Sequence, residues 1–87
     1  MFITDATIED GYVERLMSFV EDSDPIIKLR AVLTAKGKYK PIVRDFNTGR
    51  ALVVGMILYT NPQDCMRAAQ NLAINFISER ANVIEQL

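Results

Sequence analysis

Residues 26–60 decide the predicted fold, and they read IIKLRAVLTAKGKYKPIVRDFNTGRALVVGMILYT. From residue 26 to residue 35, apolar side chains alternate with polar ones. The apolar set is Ile27, Leu29, Ala31 and Leu33, and the polar set is Lys28, Arg30 and Thr34. A period of two is typical of a strand that buries one face. The stretch therefore predicts a half-buried strand over residues 26–35.

Two turn signals divide the rest of this stretch into further strands. Lys36-Gly37 indicates a tight turn, so a second strand is expected over residues 38–46. Asn47-Thr48-Gly49 is the strongest hairpin signal, because Gly49 can adopt the left-handed conformation that closes a three-residue loop with a bulge. The third strand, residues 50–59, is apolar on both faces.

A helix is predicted before the strands, over residues 7–22. Thr7 and Asp10 have the chemistry of a capping box, and Ser23-Asp24-Pro25 would end the helix because the residue before a proline disfavours helical angles. Its apolar stripe follows helical spacing and comprises Ile8, Tyr12, Leu16, Phe19 and Val20, widened by Val13 and Met17.

A second helix is predicted after the strands. Asn61 is a helix cap, Pro62 suits the first helical position, and Asp64 lies in the positively polarised first turn. We expect it to reach Asn82 or beyond. Its core stripe is Cys65, Ala69, Leu72, Ala73, Phe76 and Ile77, continuing to Val83, Ile84 and Leu87.

The predicted order is α-β-β-β-α in one domain, residues 1–87. The expected fold class is α+β, a three-stranded antiparallel sheet with two helices packed on one face. Two details conflict with a simple meander. Pro41, in the central strand, cannot donate to a ladder, and the apolar third strand would be an exposed edge. We therefore predict self-association along this edge through Leu52, Val54, Met56 and Leu58.

Composition narrows the compartment and the chemistry. The single cysteine, Cys65, precludes a disulfide within the chain and favours a reducing, cytoplasmic compartment. The N-terminus shows no signal-peptide pattern, and the longest apolar run, residues 51–59, is too short to span a bilayer. Without histidine, the chain lacks the commonest general base and metal ligand. We expect no enzyme, cofactor or metal site, and a packed thiol at Cys65, with a redox role as the alternative.

Charge is sorted along the chain although the net charge is −1. Residues 1–25 carry seven acids and one base, a net of −6, whereas residues 26–60 carry seven bases and one acid, a net of +6. One interpretation is attraction between the two segments, and the other is a basic binding surface. The candidate surface comprises Lys28, Arg30, Lys36, Lys38, Lys40, Arg44 and Arg50. Tyr12, Tyr39, Tyr59 and Phe46 could stack on bases or simply pack in the sheet.

The register between the first two strands stays open. A two-residue turn pairs Leu29 with Arg44 and spreads the basic residues over both faces. A three-residue turn pairs Arg30 with Arg44 and gathers them on one face. The nature of any binding surface therefore depends on a shift of one residue.

The predicted order, with a terminal alanine-rich helix, resembles the double-stranded RNA-binding domain over most of the chain. The resemblance is strongest from Tyr39 to Ile77, in Asn47-Thr48-Gly49 and in Arg67-Ala68-Ala69-Gln70-Asn71-Leu72-Ala73. That family grips phosphates with a lysine-rich helix start, and its first hairpin loop enters the minor groove. Here those positions read Asn61-Pro62-Gln63-Asp64 and Lys36-Gly37-Lys38. Members of that family that lack these RNA contacts commonly serve as dimerisation or protein-docking modules. The resemblance therefore implies the fold together with such a role.

Three functions remain as hypotheses. The first is a self-associating, non-catalytic protein-interaction module, such as a small regulator or inhibitor that docks on a larger protein as a homodimer. The second is a nucleic-acid-binding domain that uses the basic hairpin. The third is a binder of a small anionic ligand at a protomer interface lined by Arg30, Arg44 or Tyr59.

Overall fold

A computed structural model describes the backbone of residues 1–86 and the side chains of residues 1–80. The strands are β1 (Phe2–Ile3), β2 (Thr7–Glu9), β3 (Tyr12–Ser18), β4 (Ile27–Leu33), β5 (Tyr39–Asp45) and β6 (Ala51–Val54), and the helix is α1 (Pro62–Gln86). In this part of the chain no helix is both long and apolar enough to cross a membrane.

All six strands form one antiparallel sheet in the order β1-β3-β4-β5-β6, and β2 pairs with β3 beside β1. Helix α1 packs across one face, on β4, β5 and β6. The α+β class is correct, but the predicted three-stranded sheet with two helices is wrong. Six strands and one helix are observed among the described residues, so the α-β-β-β-α order behind the resemblance is not the order of this chain.

The predicted first helix, residues 7–22, is instead the hairpin of β2 and β3. Asp10-Gly11 forms its two-residue turn, because Glu9 pairs with Tyr12 and Gly11 has a φ of 90°. This φ favours glycine, and Asp-Gly between short strands is a strong hairpin signal. The apolar spacing in this segment fits a helix and a strand equally well locally. The turn and the pairing of β3 with β4 decide for the strand.

Strand β4 confirms the alternating pattern predicted for residues 26–35, except that Leu33 at its end is exposed. Leu29 and Ala31 of β4 and Val43 of β5 are fully buried under α1. Pro41 is also buried in β5, but its missing N–H does not interrupt the β4 ladder. The carbonyl of Pro41 accepts from the Gly55 N–H at 2.8 Å, which shows that its backbone polar groups face β6.

The predicted third strand, residues 50–59, is shorter in the structure, where β6 covers only Ala51–Val54. A Cβ atom on Gly55 would lie 2.4 Å from Pro41 Cγ and 3.3 Å from Leu72 Cδ1, so only glycine fits there. Met56 and Ile57 then lie exposed, and the chain rejoins β5 through two hydrogen bonds between Tyr39 and Tyr59. The strand therefore ends where Pro41 offers no N–H to continue the ladder.

Helix α1 begins as predicted. The Asn61 side chain accepts from the Gln63 N–H at 2.7 Å, and Pro62 is the first helical residue. The buried residues of its inner face are Cys65, Met66, Ala69 and Ala73. Leu72 and Ile77 pack beside this core, and Phe76 is half-buried. These mostly small side chains allow the helix to lie close to the sheet. The side chains of Val83, Ile84 and Leu87 lie outside the described residues.

The hairpin at Asn47-Thr48-Gly49 is confirmed, but its loop has four residues instead of three, since the Asp45 N–H donates to the Arg50 carbonyl at 2.9 Å. Gly49 has a φ of 74°, and its N–H donates to the Asp45 carbonyl at 2.9 Å. The Asp45 carboxylate accepts from the N–H groups of Asn47 and Thr48, both at 2.9 Å. Strand register shifts next to this turn, between Val43 and Arg44. Side-chain capping thus closes the turn that connects β5 to β6.

Candidate functional site

The pairing of β4 with β5 gathers basic residues on one face of the sheet. Thr34 and Lys38 close a three-residue loop, since the Thr34 N–H donates to the Lys38 carbonyl at 2.8 Å. Lys28 then lies opposite Arg44. Both pairs considered for Arg44, with Leu29 and with Arg30, are therefore wrong. Lys28, Arg30, Lys40 and Arg44 nevertheless share one face, because the observed register has the same parity as the three-residue-turn alternative.

This basic surface lies on the side of the sheet opposite α1, which we call the open face. Pairing from β2 to β6 assigns to it Glu9, Tyr12, Glu14, Leu16, Lys28, Arg30, Val32, Lys40, Ile42, Arg44 and Val54. Four of these residues are basic and two are acidic. The open face is therefore positive although the chain carries a net charge of −1.

The two arginines of the open face are held by neighbouring groups. Arg30 Nε donates to Glu14 Oε2 at 2.6 Å, and its guanidinium lies 4.4 Å from the centroid of the Tyr12 ring. Arg44 Nη1 donates to the Gly49 carbonyl at 2.9 Å. The Arg44 Nε atom is buried without a partner among the described residues. Both arginines thus have fixed positions within the sheet.

The two lysines are less constrained. Lys28 Nζ lies 5.5 Å from the centroid of the Phe46 ring, and Lys40 is half-buried at the opposite end of the open face. Neither lysine forms an ion pair within the described residues. Their ammonium groups can therefore meet an anionic ligand without first breaking a salt bridge.

The remaining basic candidates lie away from the open face. Lys36 and Lys38 are exposed in the β4–β5 loop. Arg50 lines a groove with Phe76 and Arg80 of α1, on the other side of the sheet. One ion pair, Arg30–Glu14, joins the acidic first segment to the basic strands among the described residues. Direct ion pairing between the two segments is therefore limited to one position among the described residues.

The tyrosines separate into two groups. Tyr39 and Tyr59 pack against the buried core, and Tyr59 lines a groove with Gly55 and Leu72. Tyr12 lies on the open face. Within one copy, Tyr59 therefore lies on the other side of the sheet from Arg30 and Arg44, which the small-anion hypothesis names as alternatives to it.

The predicted self-association edge is only partly exposed. Leu52 and Leu58 are half-buried, whereas Val54 and Met56 are 43% and 90% exposed. Ile57, which the sequence pattern did not single out, is 66% exposed beside them. Val54, Met56 and Ile57 form an apolar cluster that we call the β6 patch.

The titratable groups offer no nucleophile or metal site in the described part of the chain. Burial raises the pKa of the Cys65 thiol to about 11, so the thiol is protonated at neutral pH. No group of three or more histidine, cysteine or acidic side chains that could hold a metal ion occurs among the described residues.

Comparison with protein-family models gives no match, and searches of curated proteins and of solved structures also give none. The proposals below therefore rest on the geometry of this chain.

Sequence reasoning missed the role of Glu14 and assigned Tyr12 to a helix stripe. Both belong to β3, and the pairing of β3 with β4 places them beside Arg30. The Asp10-Gly11 turn was the available signal, because a hairpin there makes residues 12 onward a strand. Successive residues of this strand then alternate between the faces, with Tyr12, Glu14 and Leu16 on the open face and Val13, Arg15 and Met17 on the helix side.

Proposed function

We propose that this chain is a non-catalytic binding domain whose open face binds single-stranded nucleic acid. The observation that carries the proposal is the β4–β5 register, which places Lys28, Arg30, Lys40 and Arg44 together on the side of the sheet without the helix. If the pairing of β4 with β5 were shifted by one residue, half of these charges would point into the core.

Electrostatics favours a polyanion on this surface. Phosphates attract clustered lysines and arginines, and the released counterions make such binding depend steeply on salt. Arg30 and Arg44 have fixed positions, while Lys28 and Lys40 are free to follow the ligand. A backbone that crosses the strands would pass between the two lysines at opposite ends of the open face.

The shape of the face favours single strands over a duplex. Duplex grooves are read by elements that protrude into them, such as a helix or a two-stranded ribbon. The open face is a sheet surface, and its apolar residues Leu16, Val32 and Ile42 lie between the charges. Unstacked bases can pack on such residues and on the Tyr12 and Phe46 rings.

The proposed compartment is the reducing cytoplasm. Cys65 is the only cysteine of the chain, and its thiol is completely buried. A chain that gains no stability from disulfides suits a compartment where disulfides are rare.

The test is fluorescence anisotropy with a labelled oligothymidylate and a labelled hairpin duplex at low and physiological salt. We expect Lys28→Gln combined with Lys40→Gln to weaken binding by about tenfold or more. Each lost phosphate contact removes roughly 0.7 from the slope of log affinity against log salt, so the double variant should lower the slope by about 1.4.

The matched control is Arg50→Gln combined with Arg80→Gln, which removes two positive charges from the groove on the helix side of the sheet. It should change affinity less than twofold. Absence of salt-sensitive binding by the wild-type chain would refute the proposal. Equal losses in the double variant and the control would show that the open face is not the binding surface.

The second candidate is a self-associating protein-interaction module, favoured by the β6 patch. Large exposed apolar clusters beside an edge strand promote association. If the β6 patch is the association surface, Met56→Ser combined with Ile57→Thr should convert an oligomer to a monomer in sedimentation velocity. Wild-type protein that sediments as a monomer at every concentration, or a double variant that still associates, would rule out this candidate.

A further inference from the structure

We propose that the chain forms a dimer in which the loop between β3 and β4 of one copy occupies a groove between α1 and β2 of the other. The groove has a volume of about 540 Å³, with a floor formed by Ile8, Val13, Pro62 and Met66. We call it the α1–β2 groove. This interface is independent of the open face and of the β6 patch.

The groove exists because one helix covers only part of the sheet. Across the sheet, perpendicular to the strands, the five neighbouring strands span about 19 Å, whereas a helix with its side chains is roughly 10 Å wide. Helix α1 packs on β4, β5 and β6, which leaves the helix-side residue of β2 uncovered and Val13, at the start of β3, only half-buried. Ile8, which shares that face with Val13, is 83% exposed.

The charge of the groove selects its occupant. Arg15 and Arg67 line it together with the neutral Gln63 and Gln70, and no acidic residue lines it. Arg67 has one acidic neighbour among the described residues, Asp64, at 3.9 Å. The matching ligand therefore combines apolar side chains with carboxylates.

The β3–β4 loop of a second copy has this composition. Phe19 and Val20 at its start are 53% and 63% exposed, and the next residues include Glu21, Asp22 and Asp24. The loop is ordered in advance of binding, because the Ser23 hydroxyl and N–H both donate to the Val20 carbonyl. Order before binding lowers the entropic cost of association.

The topology allows both copies to make the same contact. The β3–β4 loop and the α1–β2 groove lie at opposite ends of β3, near the edge of the sheet that β1 and β2 form. Two copies placed antiparallel, side by side, bring each loop to the groove of the other. Such an arrangement closes on a two-fold axis and forms a dimer.

Sedimentation velocity over a range of concentrations tests the proposal. We expect the wild type to dimerise, and Ile8→Thr or Phe19→Ser to raise the dissociation constant by about tenfold or more. Arg67→Glu should also weaken the dimer, and Glu21→Arg in the same chain should restore it. Ile57→Thr, which removes an exposed isoleucine from the β6 patch, is the matched control and should leave the dimer intact.

Circular dichroism of each variant separates loss of association from loss of fold. A monomeric wild type would overturn the proposal. A dimer that Ile57→Thr disrupts and Ile8→Thr does not would assign self-association to the β6 patch instead. Failure of Glu21→Arg to rescue Arg67→Glu would show that the acidic loop is not the occupant.

Discussion

On the face of the sheet under α1, the side chains of Leu29 and Val43 are fully buried. Their neighbours along the chain, Arg30 and Ile42, lie on the open face and are only half-buried. The same two strands therefore carry two surfaces of different burial and chemistry. Burial of apolar area concentrates stability on the covered face. The open face keeps charges and rings within reach of a ligand.

The largest expected effect tests this contrast in stability. Leu29→Ala should lower the free energy of unfolding by about 2–5 kcal/mol, because a fully buried leucine leaves a cavity. Ile42→Ala on the open face should cost about 1–2 kcal/mol, since the side chain is only half-buried. Urea unfolding measures both. Equal losses would mean that another layer covers the open face in solution.

The next effect concerns the close packing of Gly55 against Pro41 and Leu72. Gly55→Ala should cost about 1–3 kcal/mol, because the new methyl group would overlap Pro41 and press on Leu72. Gly37→Ala is the control: its site is open, and its φ of 76° alone should cost about 1 kcal/mol. Thermal unfolding that ranks the two variants in the opposite order would contradict the packing at Pro41.

A third prediction links stability and binding on the open face. Glu14→Gln should lower stability by about 1 kcal/mol, since it weakens the half-buried pair with Arg30. The same change should strengthen oligothymidylate binding, because Arg30 becomes free and the face loses a negative charge. Glu9→Gln removes a charge from the same face without breaking an ion pair among the described residues, so it should leave stability unchanged. Weaker binding by Glu14→Gln would argue against the proposed surface.

The smallest expected effect is a dependence of stability on pH at the β5–β6 turn. The N–H groups of Thr48 and Asn47 donate to the Asp45 carboxylate and lower its pKa below the ordinary value of 3.8. A lowered folded-state pKa stabilises the fold above pH 3.8, and this contribution is lost as the pH falls through the folded value. Asp45→Asn should reduce the dependence of the unfolding free energy on pH below about pH 4, measured by urea unfolding at a series of pH values. A variant that retains the wild-type pH profile would exclude this contribution.

Local signals predicted the chain from residue 26 onward well. Asn61 and Pro62 start α1, Gly49 closes the β5–β6 turn, and the alternating apolar residues of β4 face the core. Each of these features is decided by a few neighbouring residues. Residues 7–22 were mispredicted as a helix because Ile8, Val13 and Met17 fit helical spacing, although Gly11 marks a turn.

The candidate site was harder to predict than the strands that carry it. Lys28, Arg30, Lys40 and Arg44 were identified as basic strand residues, but their common face depended on the β4–β5 register. Tyr12 and Glu14 reach this site only because β3 pairs with β4. Contacts between residues distant in sequence leave no local periodicity from which to predict them.

The sequence by itself determined the alternation of β4, the turn at Gly49, the cap at Asn61 and the segregation of charge. These features follow from backbone preferences and side-chain periods within a few residues. Only the tertiary structure decided that residues 12–18 are a strand, that one face of the sheet lacks a helix, and that the basic residues share that face. The reason is that pairing and burial are cooperative choices among distant segments, and a shift of one residue reverses the faces.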